Sequence, residues 1–180
     1  MAGIGFDAHI ASRFATATRR GFIGYAGITA RALTSYVPQR YRVTTGGVET
    51  AHRAILVTIA NSAQFGNNAR IAPGARVDDG MLDLVAVSPV GLIGAALLAV
   101  RMFTGTFDES RHVRRLRGRR FVIDRVAPGL IHTDGETHPA GARVEVVVHP
   151  RSLRVLVPFG SRAASRPVDP APAGLAAYLP

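Results

Sequence analysis

Glycine and proline break this chain into short pieces, and that punctuation limits the folds open to it more than any other feature. Apolar residues recur at helical spacing in only two places, residues 21–36, which stop before Pro38, and residues 90–103. Elsewhere the apolar runs are short and rich in β-branched side chains. Residues 41–45 and 54–60 read as strands joined by a turn at Gly46-Gly47. The first alternates. The second, AILVTIA, is apolar almost throughout and is expected to be central. Residues 81–87, 119–124, 130–133, 143–149 and 153–158 continue the series, and residues 61–80 read as loop. Many short strands with two peripheral helices predict a mainly β, α+β domain built as a β-sandwich, not a doubly wound parallel sheet. Beyond Phe159 the chain turns to Pro, Ala and Ser without a sustained period, so the expected division is a folded domain over 1–159 and a flexible tail over 160–180.

Charge narrows the partners. The formal net charge is +10, and all 22 basic residues are arginine. Six of them crowd into RHVRRLRGRR, from Arg111 to Arg120. That run is compatible with a solvated strand and turn, or with attraction to anionic lipid. No nucleic-acid-binding module accompanies it, so nucleic acid is not an expected partner. The uncharged stretch from Leu84 to Val100 is interrupted at Ser88-Pro89 and falls short of the ~20 apolar residues a spanning helix needs, which predicts a buried strand followed by an amphipathic helix. The absence of cysteine excludes disulfides and zinc-thiolate sites.

Acidic residues are scarce, 12 in all, and two groups of them sit on glycine-containing turns. Asp78, Asp79 and Asp83 lie in GARVDDGMLDL, and Asp134 and Glu136 lie in HTDGE. A carboxylate with turn carbonyls suits a hard cation such as Mg²⁺, while Asp-Gly pairs are also ordinary tight-turn formers. The six histidines show no helical zinc spacing, and no serine stands in a nucleophile elbow. There is no P-loop and no dinucleotide fingerprint.

Four longer strings, GIGFDAHIA, NSAQFGNNARIAPGARVDDGMLDLVAV, HTDGE and RVEVVVHPRSLRVLVP, occur in an order that resembles the diacylglycerol kinase and sphingosine kinase superfamily, above all its bacterial lipid kinases. A relative of the NAD kinases is the less favoured alternative. The resemblance implies a C-terminal β-sandwich that packs on an N-terminal nucleotide-binding domain, with ATP as co-substrate between them. It implies that Glu136 is the general base and that Asp134 orients the site. It also implies a structural Mg²⁺ held by Asp79 and the carbonyls of Arg76 and Met81. Asp7 matches a site-shaping position, and Arg70 is placed near phosphate, headgroup or the metal loop.

The G-G-D-G-T nucleotide loop of that superfamily does not occur in this sequence. The chain is therefore expected to represent the substrate-side domain alone, inactive unless a nucleotide-binding domain is supplied. The implied setting is cytoplasmic, peripheral to the inner face of the membrane, with a lipid substrate whose identity the sequence leaves open. A non-catalytic basic module for a lipid surface or a partner is the alternative.

Overall fold

The computed structural model describes residues 1–15, 29, 31–33 and 35–156. Two antiparallel sheets face each other. The larger has the order β11-β10-β1-β4-β7-β8, formed by Glu136–Ala140, Gly129–Thr133, Ala2–Gly5, Leu56–Ala60, Leu82–Val87 and Val113–Gly118. The smaller has the order β12-β9-β2-β3, formed by Arg143–Val147, Arg120–Arg125, Gln39–Thr45 and Val48–Ala54. A short ribbon, β5 (Gln64–Gly66) with β6 (Ala69–Arg70), stands apart. Helix α1 spans Phe6–Ala15 and helix α2 spans Leu92–Thr104.

Alternation along the strands produces the layers. On β2 the buried positions are Tyr41, Val43 and Thr45, and on β9 they include Phe121 and Ile123. These meet Ile4, Val57, Ile59, Leu82, Leu84 and Ala86 of the larger sheet in the sandwich core. β7 is buried at all six positions because both of its faces are covered. Val85 and Val87 join a second cluster with Ala60, Ile71, Ala72, Leu98 and Phe107, under α2 and the loops on the outer face. This explains why β4 and β7 are apolar apart from the buried Thr58 and Asp83: a strand covered on both faces has no solvent side to make polar.

Three readings of the sequence need correction or completion. The turn at Gly46-Gly47 exists, with both residues at positive φ, but it joins β2 to Val48–Ala54 rather than to the central strand. That segment is an exposed edge strand whose polar residues hid it. Residues 153–156 do not form a strand, and Leu153, Val155 and Leu156 are exposed. The expected helix at 21–36 lies mostly outside the described residues, as do positions 157–158 of that last expected strand and the tail.

Candidate functional site: the Asp134–Glu136 turn and its supports

Strands β10 and β11 form a hairpin with Thr133 opposite Glu136, so Asp134-Gly135 is a two-residue turn. Both residues have positive φ, 48° and 92°, the geometry that an Asp-Gly pair adopts at little cost. Glu136 opens β11 with its side chain exposed. Asp134 is exposed as well, and its Oδ1 accepts from the N-terminal ammonium of Met1 at 2.7 Å, while its backbone N–H donates to the Met1 carbonyl at 2.9 Å.

Beneath the turn lies a polar cluster that runs in one row across three strands. Gly3 of β1 is the register partner of His132 on β10 and of Thr58 on β4. The start of α1 drops the Asp7 carboxylate onto the space that glycine leaves open, and a Cβ at Gly3 would overlap both Asp7 Oδ2 and His132 Nε2. Thr58 Oγ1 donates to Asp7 Oδ2 at 2.7 Å, and the Ala8 N–H donates to Asp7 Oδ1 at 2.8 Å. His132 Nε2 is 3.2 Å from Asp7 Oδ2 but out of line, so it has no hydrogen-bond partner among the described residues. On its other side, His132 Nδ1 accepts from the Gly135 N–H at 3.4 Å, which places the ring proton on Nε2, toward the carboxylate. Asp7, Thr58 and His132 are all buried. The sequence singled out Asp7 but not Thr58 or His132. The signal for His132 was its place two residues before Asp134, on the same β hairpin.

The segment that carries Asp79 belongs to the same end of the larger sheet. Ala2 pairs with Thr133 and Ile59, and Ala60 pairs with Asp83, so the starts of β1 and β7 lie beside the turn end of β10. Between β10 and β7 there are three strand spacings, roughly 14 Å at ~4.8 Å each. Asp79 therefore lies toward the same end of the larger sheet as Glu136, several strands away. Asp79 Oδ1 accepts from the Met81 N–H at 2.9 Å, and Oδ2 pairs with Arg117. Arg76 forms a two-pronged contact with Asp78, at 2.9 and 2.8 Å. One carboxylate with two turn carbonyls is a hard-oxygen donor set that fits Mg²⁺ in kind, but Arg117 occupies the oxygen such an ion would take. No group of three or more His, Asp or Glu side chains disposed to hold a metal occurs among the described residues.

Arg70 closes the β5–β6 ribbon, opposite Gln64. Its guanidinium lies beside Gly105, the left-handed cap of α2, where an added Cβ would sit 3.6 Å from Nη1. Three of the run's six arginines form ion pairs on the edge strand β8 and the start of β9. Arg115 binds Asp83 and Asp108, each at 2.9 Å, Arg117 binds Asp79, and Arg120 binds Glu145 at 2.7 Å. A cleft of about 430 Å³ bordered by Gly5, His9, Tyr36 and Arg125 lies at the other end of β1, away from Glu136.

A β-sandwich of two antiparallel sheets is the fold expected for the C-terminal domain of the superfamily that the sequence resembles. Comparison with known proteins agrees. Residues 1–157 match the family described as the YegS C-terminal NAD kinase beta sandwich-like domain, and the chain belongs to that family. Its fold is similar to two solved structures from Bacillus anthracis str. Sterne, each described as a "putative diacylglycerol kinase". The first is 18% identical with a TM-score of 0.55, over 84% of this chain and 52% of that one. The second is 21% identical with a TM-score of 0.53, over 81% of this chain and 49% of that one. The chain thus spans about half the length of these relatives. No curated protein matches it.

Proposed function

We propose that this domain is the substrate-side half of an ATP-dependent lipid kinase of the diacylglycerol kinase type, and that it turns over lipid only when a nucleotide-binding domain completes it. The observation that carries this reading is the Asp134–Gly135–Glu136 turn, an exposed carboxylate on a hairpin fixed from below by His132 and tied to Met1. Glu136 takes the proton of a lipid hydroxyl as that oxygen attacks the γ-phosphorus of ATP. The new P–O bond forms, the bond to the β-phosphate oxygen breaks, ADP leaves, and the proton rests on the Glu136 carboxyl. Asp134, at the apex of the turn, orients the approach.

Magnesium held by Asp79 with the Arg76 and Met81 carbonyls would supply fixed positive charge to the metal loop. The three strand spacings between β10 and β7 support a structural rather than a reacting role. A cytoplasmic location at the inner face of the membrane fits this reading, and no helix among the described residues is long and apolar enough to cross a membrane.

The test joins this chain to a nucleotide-binding domain of the same superfamily and follows phosphate transfer from labelled ATP to diacylglycerol in mixed micelles. Turnover by the joined protein, lost in Glu136→Ala and absent from the 180-residue chain alone, is the expected result. Turnover that survives Glu136→Ala removes the glutamate from its assigned role. A second reading, a non-catalytic lipid-surface module, is favoured by the exposed apolar side of α2 and predicts vesicle binding that Glu136→Ala leaves intact.

A further inference from the structure

We propose that the outward side of α2 is a docking surface that seats this domain on an anionic bilayer. The inference concerns no residue of the Asp134–Glu136 turn and stands independently of the kinase chemistry.

An α-helix turns about 100° per residue, so positions three, four and seven apart share a face. Leu98 is buried and Met102 partly buried against the cluster that contains Val85, Ala72 and Phe107. The side opposite Leu98 holds Leu92, Ile93, Leu97 and Val100, which are 55%, 81%, 61% and 59% exposed. A helix on the surface of a water-soluble protein ordinarily places polar residues there. Here the solvent side is as aliphatic as the packed side. Four large aliphatics in one stripe also differ from the isolated apolar residues scattered over any protein surface.

Charge selects the occupant. The helix carries no acidic residue in its first turn, and its one charged residue is Arg101, whose Nη1 donates to the Thr106 carbonyl at 3.0 Å and lies 3.9 Å from the Glu109 carboxylate. Arg70 stands beside the C-terminal cap at Gly105, and the exposed Arg111 follows in the segment that leaves the helix. The whole chain is at +10. Pairing two copies through this stripe would press two cationic bodies together and bring Arg70 and Arg101 toward their counterparts. An anionic bilayer offers an apolar layer for the stripe and negative headgroups for the arginines at its rim. At 13 residues α2 is ~20 Å long, suited to lying in the interface and too short to span it.

The sequence contains no tryptophan, so Ile93→Trp makes a single fluorescent reporter on the stripe. Its emission should shift to the blue with phosphatidylcholine vesicles that contain phosphatidylglycerol, and less with phosphatidylcholine alone. Val147→Trp, on an exposed position of the smaller sheet, should not shift. Leu97→Asp should lower vesicle partitioning about tenfold or more with an unchanged melting curve, because Leu97 is exposed in the folded protein. Glu136→Ala should partition as the parent does, so failure of the kinase reading would leave this result untouched. An unshifted Ile93→Trp overturns the proposal. So does full partitioning by Leu97→Asp, which would mean adsorption through arginines alone. A blue shift without vesicles that follows a concentration-dependent dimer in sedimentation would assign the stripe to a second copy instead.

Discussion

The Asp7 carboxylate lies 3.2 Å from His132 Nε2 directly above Gly3, where β1 has no side chain. Three strands and the first turn of α1 therefore meet at a single missing Cβ. Gly3→Ala should be among the most costly small substitutions in the protein, because it pushes two mutually arranged buried polar groups apart. A loss of about 2–4 kcal/mol in urea unfolding is expected. Gly47→Ala serves as a comparison, since nothing lies within 4 Å of its added Cβ and only its positive φ is at stake. Equal costs at the two sites would show that the overlap at Gly3 relaxes freely.

A second joint lies at the far end of the sandwich. Arg125, at the end of β9, donates to the carbonyls of Gly129, Leu130, Ala140 and Gly141 at 2.8–3.1 Å. These carbonyls lie at the start of β10, at the end of β11 and just beyond it, so one guanidinium ties the smaller sheet to the larger one. Burial pushes the Arg125 pKa down from its usual value. Arg125→Met keeps the bulk and abandons the carbonyls, and should cost about 2–4 kcal/mol by thermal or urea unfolding. Arg125→Lys should recover only part of that, because an ammonium cannot reach acceptors spread across a planar fork. Full recovery by lysine would mean that charge alone matters there.

Sequence reading succeeded where burial imposes a pattern. The helix expected at 90–103 is found at Leu92–Thr104, where apolar residues recur at helical spacing, and the strand expected at 81–87 at Leu82–Val87, buried on both faces. It failed at edges. Val48–Ala54 and Glu136–Ala140 are strands rich in polar residues, and Pro139 is tolerated in the latter because β11 is an edge strand. Residues 153–156 erred in the other direction, with strand-like composition but no strand. The Asp-Gly turn was legible from its two letters, since few residues accept positive φ twice in succession. The row His132–Gly3–Thr58 was not, because it depends on register between strands far apart in sequence.

Arg117 competes with any cation for Asp79. Arg117→Gln frees one carboxylate oxygen while Asp79 still accepts from the Met81 N–H. Added Mg²⁺ should therefore raise the melting temperature of Arg117→Gln more than that of the parent, and Asp79→Asn should abolish the response in both. A ligand at a hundred times its dissociation constant stabilises by about 2.7 kcal/mol, which is readily seen in a thermal shift. A response that persists in Asp79→Asn would remove Asp79 from the metal set.

His52 gives the fold a pH signature. It sits half-buried on β3, its Nε2 2.8 Å from Thr50 Oγ1. Desolvation, and next the positive charge of Arg114, lower its pKa from the ordinary 6.5. The sign follows from proton binding. Between the depressed folded value and 6.5 the unfolded chain holds more protons at this site, so His52 makes stability rise with pH in that window. As pH falls from 6.5 through the folded value, that contribution is lost, and below it the penalty is constant. His52→Gln should flatten the pH dependence of unfolding over this window and leave stability above neutral pH little changed. In the parent, the His52 ring resonance should titrate with a midpoint below 6.5, and Arg114→Gln should move that midpoint upward. A midpoint that ignores Arg114→Gln would leave desolvation as the sole cause.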